Sequence, residues 1–121
     1  MEKDDWINFK IKLRDRLKEF ACGILELSSL FPDNPRSRVL NYQLTYAGTS
    51  AYAKYRAALR GRSKAEFFSK LSISVEEADE AEMWLDLVLS AKIMESDLVK
   101  KLHIESLEIL KILSSMRKQM S

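Results

Sequence analysis

One cysteine, one histidine, three glycines and two prolines are all that 121 residues supply of these types, and each scarcity removes a class of explanation. A single thiol, Cys22, forms no intrachain disulfide and no thiolate metal cluster within one chain, which suits a reducing, cytoplasmic setting. With turning residues few and Leu, Ala, Lys and Glu abundant, long helices with short connections are favoured over strands. No run approaches the roughly 18 apolar residues of a membrane span. Met1 is followed by Glu2, Lys3, Asp4 and Asp5, so neither secretion nor membrane insertion is expected. The glycines stand alone and build no phosphate loop. A di-iron bundle would need Glu-x-x-His on two helices, but Glu77 is followed at that spacing by Glu80, and His103 follows Lys100. His103 also lacks a cysteine, serine-elbow or carboxylate motif around it. No metal, cofactor or catalytic residue is therefore expected, and the chain is read as one non-enzymatic domain.

Charge is present in both signs but unevenly placed. The net value of +2 argues against a general nucleic-acid binder, yet residues 31–64 carry seven cations against Asp33 alone, and residues 65–96 carry eight carboxylates against Lys70 and Lys92. Adjacent segments thus hold net charges of +6 and −6.

Hydrophobic periodicity places four helices, at about residues 5–30, 35–60, 64–93 and 97–117. The first carries Trp6, Phe9, Leu13, Leu17, Phe20, Ile24, Leu27 and Phe31 at steps of three or four, and its intervening charges, such as Lys10, Arg14 and Lys18, read as a solvated face. Cys22 reads as a small buried filler. Pro32 and Pro35 close that helix, with Asn34 as N-cap of the next. The second helix is rich in small residues, from Ala47 to Ala58, and interleaves Tyr42, Tyr46, Tyr52 and Tyr55 with cations. Such mixtures occur on surfaces that stack bases and hold phosphates, and also at half-buried helix boundaries. Gly61 suits a left-handed cap and Ser63-Lys64-Ala65-Glu66 a capping box, so the turn is tight and the third helix returns antiparallel. Its stripe is Phe67, Leu71, Ser74, Ala78, Ala81, Leu85 and Val88, widened by Trp84 and Leu87. Ser96 or Asp97 caps the fourth helix, whose pattern weakens after Ser114, so its last residues are expected to fray.

Gln43-Leu44, Gly48-Thr49-Ser50, Ala53, Tyr55-Arg56, Ser63, Glu66-Phe67, Lys70-Leu71, Glu77-Ala78-Asp79-Glu80 and Trp84-Leu85 together resemble the signature of the bacterial proteins named for 23S ribosomal RNA intervening sequences. The resemblance implies an all-α, up-down-up-down four-helix bundle that assembles as a homopentameric ring. It also implies kinship with the accessory proteins of diversity-generating retroelements, which bind reverse transcriptase and nucleic acid. Lys54 and Ala57 stand where the family usually has Asn and Glu beside its Tyr-Arg pair, which makes this surface more basic. Two readings follow. In the first, Lys54, Arg56, Arg60, Arg62 and Lys64 engage RNA or another polyanion. In the second, the chain is a structural or protein-interaction module whose arginines are satisfied by Glu76, Glu77, Glu80 and Glu82 within or between subunits.

Overall fold

The computed structural model describes residues 2–120 and contains four helices: α1 (Lys3–Ser28), α2 (Pro35–Leu59), α3 (Lys64–Ser90) and α4 (Asp97–Met120). Consecutive helices pack against each other, α4 closes on α1, and the diagonal pairs stay apart. This is an antiparallel four-helix bundle. The α2–α3 seam is the most closely packed and the α1–α4 seam the least. No described helix is long and apolar enough to cross a membrane.

Local chemistry fixes most of the helix ends. The Asn34 side chain accepts from Ser37 N–H at 2.9 Å with Pro35 in the first turn, and Ser63 Oγ accepts from Glu66 N–H at 3.1 Å. Only the serine half of that capping box forms among the described hydrogen bonds. Ser96 is the cap of α4, its Oγ accepting from Leu98 N–H at 3.1 Å. That helix continues past Ser114 to Met120, because Met116 is buried and anchors the added turns; Ser121 lies outside the described residues.

Two ends depart from expectation. Gly61 does not take a positive φ; α2 ends on Arg60 (φ −98°, ψ 7°). Gly61 is needed for space instead, since a Cβ there would lie 3.1 Å from both the Ala58 carbonyl oxygen and the Phe67 nitrogen. The left-handed residue is Lys92 (φ 53°), where Lys92 N–H donates to Leu89 O at 3.1 Å and Ile93 N–H to Val88 O at 3.0 Å. That pair of bonds is a Schellman cap, and buried Ile93 supplies its apolar contact.

The core is the four apolar stripes turned inward, led by Leu17, Ile24, Leu44, Leu71, Leu85, Ile109 and Leu113, each full burial being worth about 2 kcal/mol. Phe67 and Trp84 are half-buried, and Leu87 is exposed rather than part of the stripe. Cys22 is exposed as well: it falls one step off the stripe, and neighbouring Ala21 takes the buried place. Several polar groups in the seams are paired. Ser74 Oγ donates to Ala51 O across α2–α3 at 2.8 Å, and Tyr55, fully buried, donates its hydroxyl to Lys10 O at 2.9 Å. Arg36 reaches from α2 to the Ala91 carbonyl at the end of α3. Asn41 Nδ2 donates to Ser28 O, and its Oδ1 accepts from Ser28 and Thr45 hydroxyls. Arg16 forks both oxygens of Glu105 at 2.7 Å, tying α1 to α4, and His103 Nε2 meets Glu82 Oε2 at 2.8 Å, tying α4 to α3.

The Ser74–Ala51 bond also sets the hairpin register. Counting outward from it along antiparallel helices, Arg56 and Arg60 stand level with Ser69 and Ala65, whereas Glu77 and Glu80 stand level with Gly48 and Thr45. The two charged blocks are therefore offset by roughly 15 Å along the axis, beyond the screening length of about 8 Å at physiological salt. The expected pairing of Arg56 and Arg60 with Glu76, Glu77, Glu80 and Glu82 does not form within the chain: no such ion pair exists among the described residues, and Glu82 belongs to His103.

Candidate nucleic-acid interface

Because α1 and α2 run antiparallel, the N-terminal half of α1 lies along the C-terminal half of α2, and the Tyr55–Lys10 hydrogen bond pins them at that height. Residues 7, 11, 14 and 18 recur every three or four positions on the side of α1 turned to α2, and residues 52, 56, 59 and 60 answer from α2. Between them runs a groove of about 480 Å³ with Ile7, Ile11, Leu59 and Tyr52 as its apolar lining and Lys10, Arg14, Lys18, Arg56 and Arg60 as its charged walls. Asp15 is the one carboxylate there, and Arg14 holds it through Nε and a terminal nitrogen at 3.1 and 3.0 Å. The Arg56 guanidinium lies 5.8 Å from the Tyr52 ring centre, a stacking distance that leaves its N–H edge open.

A smaller hollow of about 360 Å³ opens at the end of the bundle, where Arg62, Ser63 and Lys64 of the turn face Trp6, Lys10 and Phe67. Lys10 serves both hollows; its ammonium sits 5.3 Å from the Trp6 ring and 5.8 Å from Phe67. Trp6 in turn stacks on Phe9 at 5.9 Å. Cations gathered in these two hollows, with Asp15 the one carboxylate in their lining, repel one another, so the surface favours an anionic guest.

The sequence of residues 10–115 matches the family profile described as 23S rRNA-intervening sequence protein. The chain belongs to that family. Among solved structures it is similar to a protein of unknown function from the S23 ribosomal protein family of Bacteroides thetaiotaomicron, at 31% identity and a TM-score of 0.81, over 90% of this chain and 97% of that one. No curated protein matches.

In this member of the 23S rRNA-intervening sequence protein family, the five cations singled out from sequence part company. Arg56 and Arg60 enter the groove, Arg62 and Lys64 line the terminal hollow, and Lys54 does neither. Lys54 faces the α2–α3 seam, where its charge acts on Glu77. Burial holds the Glu77 carboxyl above the usual range, nearby Glu80 adds to this, and the Ser50 hydroxyl and Lys54 oppose it; Glu77 Oε2 is buried without a hydrogen-bond partner. Lys10, Arg14 and Lys18 are what sequence reasoning missed. They read as solvated face because periodicity reports which side of α1 is buried, not which neighbour the polar side meets. The four tyrosines also divide: Tyr55 is core, Tyr52 is half-buried in the groove, and Tyr42 and Tyr46 are 70% and 57% exposed. Among the described residues, no three His, Cys, Asp or Glu side chains gather as metal ligands would.

Proposed function

We propose that this protein is a non-enzymatic binding protein that holds nucleic acid against the α1–α2 groove, with Lys10, Lys18, Arg56 and Arg60 on phosphates and Arg14 behind them. The observation that carries the reading is the convergence of five cations from two helices on one groove, four of them with no carboxylate within 4.0 Å. Arg62 and Lys64 extend the basic surface around the bundle end. Phosphate contacts release counterions, so log affinity should fall with log salt at a slope of roughly −2.8 for a single strand touching those four cations. Titrating labelled RNA across a salt series tests this; binding that is absent, or indifferent to salt, sinks it. Arg56→Glu/Arg60→Glu should abolish binding, whereas reversing Lys100 and Lys111 on α4 should leave it intact. Labelled RNA should survive incubation with the protein at full length, as a binder without hydrolase activity requires.

The family resemblance adds a homopentameric ring, a cytoplasmic setting and a reverse transcriptase or ribonucleoprotein as protein partner. A ring would set five grooves on one particle, raising avidity for a long strand without any new contact. Light scattering at micromolar concentration decides it, a strict monomer being the refuting result. A second reading, a protein-interaction module that ignores nucleic acid, draws on α4, where Ile104 is 69% exposed beside exposed Leu107. Ile104→Glu/Leu107→Glu would then dissolve a complex that Arg56→Glu/Arg60→Glu leaves whole.

A further inference from the structure

The outward side of α2 carries a ridge that the groove does not explain. Tyr42, Tyr46, Thr49, Ala53, Arg56 and Arg60 follow one another at steps of four and three, the spacing that keeps side chains in line along a helix. The ridge is about 27 Å long. It opens with the two exposed phenol rings, passes over Thr49 and Ala53, which leave the path low, and closes with the two groove arginines. Helix α2 contains no Asp or Glu from Pro35 to Leu59, in a chain with 18 of them. Exposed rings at one end, guanidiniums at the other and no carboxylate between them match a ligand with flat π faces and a negative backbone.

The geometry points to single-stranded nucleic acid, and not duplex, as the occupant of this ridge, a refinement that rests on the nucleic-acid reading above. Tyr42 and Tyr46 lie one helical turn apart, about 6 Å along the axis, a separation at which two rings each face a base of an unstacked strand. A duplex keeps its base faces inside its own stack, and the major groove of A-form RNA is too narrow to admit side chains, so the rings would have nothing to meet. Bases therefore lie on Tyr42 and Tyr46, and the backbone continues over Thr49 and Ala53 to Arg56 and Arg60. Beside the rings, a shallow hollow of about 530 Å³ lined by Asn41, Thr45 and Thr49 gives an unstacked base room.

Anisotropy titrations with a labelled 15-nucleotide uridylate strand, the deoxythymidylate strand of equal length, and the uridylate strand annealed to its complement test the assignment. The wild type should prefer either single strand to the duplex by about tenfold or more. Tyr42→Ala/Tyr46→Ala should erase that preference by weakening the single strands alone, and Tyr42→Phe/Tyr46→Phe should keep it; both side chains are exposed, and circular dichroism checks the fold. If the alanine pair leaves single-strand binding unchanged while Arg56→Glu/Arg60→Glu still abolishes it, the ridge assignment fails and the nucleic-acid reading stands. If the wild type binds none of the three probes, both fail. If the alanine pair instead splits an oligomer without altering binding per subunit, the ridge is a contact between copies and the assignment is overturned.

Discussion

Replacing Gly48 by alanine should destabilise the bundle even though alanine is the better helix former. In a helix interior the exchange alone favours alanine by about 1 kcal/mol. At Gly48 the added Cβ would lie 2.8 Å from Cγ1, 3.1 Å from Cγ2 and 3.3 Å from Cβ of Ile24. Ile24 is fully buried and β-branched, so its χ1 is nearly fixed and it has nowhere to turn. Either α1 and α2 separate or the side chain leaves its rotamer, an overpacking cost of about 1–3 kcal/mol. The balance is a net loss of about 1 kcal/mol, or a Tm lower by about 4 °C at this chain length. Gly23→Ala is the internal control. Its Cβ would meet the tip of Leu102 (Cδ2, 2.7 Å) at the edge of an open hollow of about 550 Å³ between α1 and α4, where a flexible leucine can swing away. There the propensity gain survives, and the variant should be more stable than the wild type. Urea denaturation of both, with a Gly48→Ala/Ile24→Ala cycle, reads the result: the double variant should lose about 2 kcal/mol less than the sum of the singles, the whole of the relieved clash. A Gly48→Ala protein as stable as the wild type would refute the close-approach argument.

Three further outcomes follow from particular contacts. Lys92→Gly should raise the urea midpoint by an amount equivalent to about 1 kcal/mol, because glycine takes the left-handed cap without the Cβ penalty that lysine bears; Lys92→Ala should show no such gain. Tyr55→Phe should cost about 1 kcal/mol in thermal unfolding through loss of the bond to the Lys10 carbonyl. Glu77 is held above its usual pKa by burial, so the folded state binds its proton more tightly than the unfolded state does. Its stabilising influence is full at acid pH and is lost as pH rises from the ordinary carboxylate range through the raised folded value. Glu77→Met removes the orphaned oxygen, and its stability relative to wild type should therefore climb across that interval and level off above it; a difference that stays flat with pH counts against the assignment.

The elements that could be read from sequence are those specified by near neighbours. Asn34 and Ser63 announce their caps within three residues, and the stripe through Leu13, Leu17, Phe20, Ile24 and Leu27 needs only the helical period. Lys92 gave no signal because lysine has no preference for the left-handed conformation; the surrounding cap imposes it. Gly61 supplies room and not conformational freedom, and composition marks a glycine without saying which of the two requires it. The site was half legible. Arg56 and Arg60 stood out as local charge, but Lys10, Arg14 and Lys18 join them only through the α1–α2 register, and Lys54 leaves them only because its position on α2 turns toward α3. Pairing of Arg56 and Arg60 with Glu76, Glu77, Glu80 and Glu82 within the chain fails on the same ground: segment charges of opposite sign say nothing of the height at which two antiparallel helices meet.

That mismatch in height has a kinetic side. Arginine and lysine gather toward the turn that joins α2 to α3, while the carboxylates of α3 other than Glu66 stand further down the bundle, so the α2–α3 hairpin is polarised lengthwise despite the near-neutral total of the chain. A polyanion diffusing nearby feels a field that favours one pole, and the protein is turned toward it before any contact is made. Capture rate, rather than residence time, is then the quantity most exposed to ionic strength, and a substitution near that pole can slow encounter without touching a bound strand.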